Sequence, residues 1–421
     1  MTKGGISYEL HCQIESHTKN PGKRWTLSAG KKIHLFELVV SLVTAFSVSA
    51  KKKSIADAHR NFIKLTGKNI SRSSFWDRLA NKILVDFLEK AVLTFSFQLQ
   101  LKALSKLLWL STFKDVFIYD ASPIRLPVSL SKKFPGNRTN HSPACLKLSA
   151  LYRMSVRGIQ WLKFTAQKQH DSQILPDLEQ LRGSLFLFDL GYFSHAFLHK
   201  LNEIGVWFVC RLKANSVPLI SRVVKGVAKR YIGCPLDQNV NLRGNIVEVW
   251  AKLMLPGKGF IEVRLIGFRF IRTKEYRWYA TNLPGSMLLA EWIYPIYRLR
   301  WQIELFFKSL KSLFNADHIT SGNENIALGI AYSSILASLI ASSIIIEESL
   351  VFAHIELKSI TAQRLMTVFS LIAHNLAQCL VSKEITNTFL QKRLHDLLPL
   401  LICPNRKHRP TSLGQVAMLT T

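Results

Sequence analysis

Three carboxylates in this chain sit where they could do chemistry. The apolar run Val116-Phe117-Ile118-Tyr119 delivers Asp120, Leu185-Phe186-Leu187-Phe188 delivers Asp189, and Glu304 is the lone acid of the stretch YRLRWQIELFFKSLK, Tyr297 to Lys311. Around them the charge runs the other way, with 56 Lys and Arg against 27 Asp and Glu and a formal charge of +29. Such a surplus calls for a polyanionic partner, nucleic acid or an anionic membrane. A carboxylate facing phosphate repels it unless a cation lies between. Acids set in a polyanion-seeking surface therefore point to metal ions rather than to acid–base catalysis alone. Two Mg²⁺ ions about 3.5–4 Å apart, with Mn²⁺ as a substitute, can activate an attacking oxygen and stabilise the leaving oxygen of a phosphodiester.

Each carboxylate also has a plainer reading. An Asp after a strand caps turns and helices. A charged row on a helix is commonly a solvated face held by four-residue pairs, here Arg300 with Glu304 and Glu304 with Lys308, at about 0.3–0.5 kcal/mol each. Spacing alone leaves both readings open. Other chemistries lack their parts: the sequence has no Gly-rich P-loop, no H-E-x-x-H, no G-x-S-x-G and no G-x-G-x-x-G after a strand, so ATP need not be involved. Asp171, after His170, reads as the cap of a helix DSQILPDLEQL. The six cysteines are scattered with no C-x-x-C pair, which argues for a reducing cytoplasm and against a structural zinc.

The elements that must position these groups are legible from periodicity. At about 100° per residue, Tyr297, Arg300, Glu304, Lys308 and Lys311 fall within an arc of roughly 80°, opposite Leu299, Ile303, Phe307, Leu310 and Phe314. That predicts one amphipathic helix. The two runs ending in Asp120 and Asp189 are apolar throughout, as strands buried on both faces are, and Gly191 suggests a sharp turn or close approach. Between residues 113 and 213 the texture is strand, strand, strand, helix, strand, helix, strand: a mixed α/β sheet. Ser216 to Asn282 reads almost wholly as strands, with a hairpin at Pro256-Gly257-Lys258-Gly259.

The flanks are helical. Apolar residues at helical spacing, Ile55, Ala58, Phe62 and Ile63, running to a stop at Gly67, and a second helix from Ser71 or Ser74, with Asp77 in capping-box position to Ser74, fit a helix-turn-helix whose Arg72 and Trp76 would meet DNA. Ile326 to Ile346 has 21 residues without a charge, enough for a bilayer. Five serines and flanking Glu324, Glu347 and Glu348 favour a buried helix instead. The N-terminus has no apolar signal region, and the tail beyond Leu400 is polar.

The spacing Tyr297-x-x-Arg300-x-x-x-Glu304-x6-Lys311 resembles the Tyr-Arg-Glu-Lys signature of the insertion-sequence-four family of bacterial transposases. Asp120 in FIYDAS and Asp189 in FDLGY match its two catalytic aspartates, and WYATNLP is similar to the strand leading into its signature helix. The resemblance implies an α/β fold: a ribonuclease-H-like catalytic core with a β-strand-rich insertion, plus α-helical N- and C-terminal regions. The expected divisions are 1–105 (DNA-binding), 106–215 (core), 216–285 (insertion), 286–345 (core) and 346–421. It also implies cut-and-paste transposition by hydrolysis at a 3′ end, hairpin formation and strand transfer. Asp120, Asp189 and Glu304 would then hold the metals, and Tyr297, Arg300, Lys308 and Lys311 would contact phosphates. The partners would be double-stranded DNA, as terminal inverted repeats and target, and a second copy of the chain, at the bacterial nucleoid and with no membrane. The alternatives are a metal-dependent nuclease on the same fold and an inactive DNA-binding regulator.

Overall fold

The computed structural model describes residues 33–47, 54–101, 112–138, 142–155, 158–169, 174–257, 259–270, 272–313, 316, 319–352, 362–382 and 386–401. His170, Asp171, Lys258, Phe314 and the polar tail lie outside them. The described strands form one sheet: β1 (Val116–Arg125), β2 (Pro135–Arg138), β3 (Ser142–Arg153), β4 (Gly158–Ala166), β5 (Leu185–Phe188), β6 (Trp207–Arg211), β7 (Leu219–Lys225), β8 (Ile246–Met254), β9 (Phe260–Arg269) and β10 (Tyr276–Thr281). Their order is β2-β3-β1-β5-β6-β10-β9-β8-β7, with β4 also on β3. β5 runs parallel to β1 and β6, whereas β10 joins β6 antiparallel, so the strand-rich segment after residue 216 extends the same sheet. The helices are α1 (Leu35–Ser47), α2 (Ile55–Thr66), α3 (Arg72–Leu79), α4 (Lys82–Leu101), α5 (His195–Glu203), α6 (Ala290–Tyr297), α7 (Trp301–Leu313), α8 (Glu324–Phe352), α9 (Ala362–Ala377) and α10 (Asn387–Leu397).

Side-chain alternation divides the central strands between two cores. Val116, Ile118, Leu185 and Leu187 join one core, with α6, α7 and the flanking helices. Phe117, Tyr119, Phe186 and Phe188 join the other, with α5 and the inner side of β8 and β9. A period of two with both faces covered leaves no polar position until the strand leaves the core, so the near-continuous apolar runs are what this placement requires.

Three expectations about elements need correction. β1 does not end before Asp120; it continues to Arg125 because β3 keeps pairing with it after its parallel partner β5 has stopped at Phe188. The segment through Leu181 is not an α-helix where it is described. Pro176 lacks an N–H and steers Leu175 out of the helical region, and only a 3₁₀ turn, Leu178–Leu181, forms, with the Asp177 side chain accepting from the Glu179 N–H at 3.1 Å. Tyr297 to Leu313 is not one helix either. α6 carries Pro295 inside it and ends at Tyr297, a 3₁₀ turn spans Arg298–Arg300, and α7 starts afresh at Trp301.

In the N-terminal hairpin the local rules hold with a shifted cap. Ser54 and Asp57 make the capping box of α2, Gly67 closes it at φ +65°, and Ser71 rather than Ser74 caps α3 by accepting from the Ser74 N–H at 3.1 Å. These helices lean on α8: Asn325 Nδ2 donates to Ala80 O at 2.7 Å and the Tyr332 hydroxyl to Glu89 at 3.0 Å. Helix α8 is long and apolar enough to cross a membrane, yet 89% of its apolar window is buried inside the protein, against α1, α4 and α9. Its buried Ser334 and Ser338 donate back to Ile330 O and Ile335 O, which satisfies hydroxyls that an apolar setting would otherwise penalise.

Candidate active site

Register places the first two carboxylates. Tyr119 of β1 lies opposite Phe188 of β5 in the last parallel rung, so Asp120 is the next residue on β1 and Asp189 the first residue after β5. By alternation both share the face of Ile118 and Leu187, where α6 and α7 pack. Gly191 follows in a 3₁₀ turn, Leu190–Tyr192, without a left-handed φ and with open space where a Cβ would stand, so no sharp turn requires a glycine there.

The third carboxylate arrives on α7. Ile303, Phe306, Phe307 and Leu310 bury one side of that helix, with the Phe306 ring tilted against Tyr152 of β3 at 6.0 Å between centres. Glu304, in its first turn, is left facing the strand ends. The Arg300 guanidinium joins the parts: Nη1 donates to Asp120 Oδ2 at 3.3 Å and Nη2 donates to Glu304 Oε1. Tyr297 is buried rather than out on a polar row, packed 5.1 Å from Tyr279, and its hydroxyl points at Asp189 Oδ1 at 3.4 Å. The entry into α6 is held by Arg264 of β9, which is fully buried. Its Nε pairs with Glu248 of β8 at 2.8 Å and its Nη1 donates to Leu288 O at 2.6 Å.

Burial pushes the Asp120 carboxyl up from 3.8 to about 6, with the negative charges of Asp189 and Glu304 adding to the rise and Arg300 and the Ala121 N–H opposing it. Burial raises the Tyr297 phenol as well, so it stays protonated and can donate to Asp189. For Arg300 burial works against the charge, but Tyr297 and the surrounding carboxylates outweigh it and hold the guanidinium protonated more firmly.

Three acids that feel one another, offset by the Arg300 guanidinium, make a hard oxygen donor set suited to divalent metal. The side chains fit such an ion chemically. Among the described residues, however, no three acidic, His or Cys groups are gathered tightly enough to form a ready cage, because the guanidinium stands between Asp120 and Glu304.

The other residues singled out from sequence lie around this centre or apart from it. Lys308 is exposed and Lys311 half-buried on α7. Arg72 and Trp76 project from α3, beside a cleft of about 450 Å³ that Ser54, His59 and Thr320 also line. Two cations were not picked out from the sequence. Arg125, on the unexpected end of β1, and Lys147 of β3 gather with Lys311 about the Cys145 thiol, which burial raises and these charges lower. Their signal was the strand alternation beyond Asp120, readable only once β1 is known to continue.

Comparison with known proteins bears on this arrangement. Residues 111–340, which contain all three carboxylates, match the family described as "Transposase DDE domain". The transposase for insertion sequence element IS1151 of Clostridium perfringens is 23% identical over 325 residues, 68% of this chain and 68% of that protein. The transposase for IS231F of Bacillus thuringiensis subsp. israelensis is 27% identical over 277 residues, 56% of this chain and 57% of that protein. A cryo-EM structure of a piggyBac transposase synaptic complex with hairpin DNA covers 94% of this chain and 83% of its own, at 11% identity and a TM-score of 0.45, a likeness too loose to carry an argument. With the family match spanning more than half of the sequence and containing all three acids, the chain belongs to the DDE-domain transposases.

Proposed function

We propose that this protein catalyses cut-and-paste transposition of an insertion sequence, with Asp120, Asp189 and Glu304 as its metal-binding carboxylates. The observation that carries the reading is Arg300 bonded to both Asp120 and Glu304, with Tyr297 reaching Asp189, which makes one site of three distant segments. Divalent cations, two Mg²⁺ or Mn²⁺ in their place, supply the charge that activates an attacking oxygen and stabilises the leaving one. The side chains do the rest. The half-buried carboxylates would hold the cations where β1, the end of β5 and α7 meet, Arg300, Lys308 and Lys311 would draw the scissile phosphates in, and Tyr297 holds Asp189 in place. Water attack frees a 3′-OH at the element end; that hydroxyl attacks the opposite strand to form a hairpin, and the reopened end joins target DNA.

The strand order β4-β3-β1-β5-β6, antiparallel and then parallel, supports a ribonuclease-H-like core at 106–215 and 286–345, with 216–285 as its β insertion and helical regions at 1–105 and 346–421. Arg72 and Trp76 on α3 meet the DNA outside the site. Joining two ends calls for two active sites, hence a homodimer on the DNA, acting in the bacterial cytoplasm where that DNA lies. The Tyr-Arg-Glu-Lys spacing supports the insertion-sequence-four subtype.

The test is cleavage of a duplex carrying the element's end by Asp120→Ala, Asp189→Ala and Glu304→Ala. Each is expected to abolish Mg²⁺-dependent cleavage while duplex affinity stays within a few-fold, since metal ligands act in the chemistry. Substantial cleavage by any one variant removes that residue from the site, and cleavage without strand joining by the wild type favours a nuclease.

A further inference from the structure

We infer that Arg300 is an exchangeable counter-ion of the carboxylate site, given up to a DNA phosphate when DNA binds, so that DNA and divalent cation load the site together. The inference rests on Asp120, Asp189 and Glu304 being the cation ligands, and adds a second, alternating partner for Arg300.

Three features of the guanidinium lead to it. Its two terminal nitrogens are spent on carboxylates from different elements, Asp120 of β1 and Glu304 of α7. Its Nε is buried and has no hydrogen-bond partner. A planar fork is best served when Nε and one Nη meet two oxygens of the same anion side-on, and a phosphate offers such a pair. The bridge to two carboxylates therefore leaves a donor unused that phosphate would engage.

The second argument is exclusion. The guanidinium holds one oxygen of Asp120 and one of Glu304, and a divalent cation that takes the same two oxygens competes with it for them. An ion bound through those oxygens displaces Arg300. It sits at the end of the 3₁₀ turn between α6 and α7, with its guanidinium carbon 5.8 Å from the centre of the Tyr297 ring. A short swing there keeps the charge near an aromatic face while freeing the carboxylates. Without DNA, Arg300 screens three acids from one another; with DNA, the phosphate takes Arg300 and the cation takes the acids. Whatever factor DNA contributes to cation affinity, the cation contributes to DNA affinity.

The experiment titrates the full chain with Mn²⁺ in the absence of DNA, reading free ion by electron paramagnetic resonance, for wild type, Arg300→Gln, Arg300→Lys and Asp120→Asn, each checked for a native melting transition. Asp120→Asn should lose the ion. Both Arg300 variants should bind Mn²⁺ more tightly than wild type, within the roughly 5- to 150-fold range of site-to-site coupling. Lysine keeps the charge but not the fork, so tightening in Arg300→Gln alone would mean a through-space field and overturn the exchange. Unchanged affinity in both Arg300 variants, with Asp120→Asn still losing the ion, overturns the exchange and leaves the carboxylate site standing. Mn²⁺ binding indifferent to Asp120→Asn overturns the site itself. In a second arm, a short labelled DNA duplex read by anisotropy should bind wild type more tightly in Ca²⁺ than in EDTA, and Arg300→Gln should lose most of that difference. An equal Ca²⁺ effect in the two proteins counts against the exchange.

Discussion

Asp120 on β1 and Asp189 just after β5 each stand one residue past the last rung that pairs these parallel strands, Tyr119 opposite Phe188. Parallel pairing puts residues of the same rung side by side, and the shared alternation turns both carboxylates to the face carrying α6 and α7. Burial makes Asp120 costly to ionise, and the charge of Asp189 beside it adds to that cost. The Arg300 guanidinium, bonded to Asp120 and Glu304, offsets that cost.

That cost has a pH signature. The Asp120 carboxyl titrates at about 6 in the folded chain against a usual 3.8, so between those values the folded state holds more protons than the unfolded one. Stability from this group is therefore fully present at low pH and is lost as pH rises through about 6. Asp120→Asn should raise stability at about pH 7 by on the order of 1–3 kcal/mol and leave it nearly unchanged near pH 4. Urea midpoints across that range check it, and identical profiles for variant and wild type would refute the shift.

Arg264 is the largest fully buried side chain among the described residues, and Glu248 is its charge partner. Glu248→Ala strands the guanidinium without compensation and should cost about 3–5 kcal/mol, whereas the paired change Glu248→Leu with Arg264→Met should recover most of it. Because Arg264 also holds Leu288 O, the single variant should loosen the entry to α6, seen as faster amide exchange there. A destabilisation under about 1 kcal/mol in chemical denaturation would show that the pair is dispensable.

Helix α8 separates a core from a bilayer. Leu336 is fully buried, and Leu336→Asp sets an unpaired charge among α8's neighbours at a cost of several kcal/mol. The expected result is loss of cooperative folding, with wild-type protein released from cell extracts by salt and not by detergent. Carbonate-resistant membrane association of the wild type would contradict this packing.

The exposed cations should read out as salt dependence. Lys308→Ala and Arg72→Ala should each lower the log–log slope of duplex binding against salt by about 0.9 for every phosphate the variant no longer neutralises. Parallel slopes for variants and wild type would make these side chains a solvated face.

What the sequence determined by itself was local or periodic. Strand runs apolar at every position announced burial on both faces, Gly67 marked the end of α2, and the lone Glu304 opposite an apolar stripe marked a helix with one face to spare. The order and spacing of Asp120, Asp189 and Glu304 carried enough information to indicate the family. Tertiary structure decided the rest, because it depends on partners distant in the chain. β1 runs past Asp120 only because β3 continues to pair with it. The helix expected from Tyr297 onward breaks at Arg298–Arg300, which takes Tyr297 off the polar row, buries it beside Tyr279 and turns it to Asp189. Four-residue spacing foretold Arg300 with Glu304, but the bond to Asp120, 180 residues away, needed the sheet edge and the helix turn to meet. Periodicity fixes which face a side chain occupies, whereas the charge that answers it there is set by whichever segment the fold brings opposite.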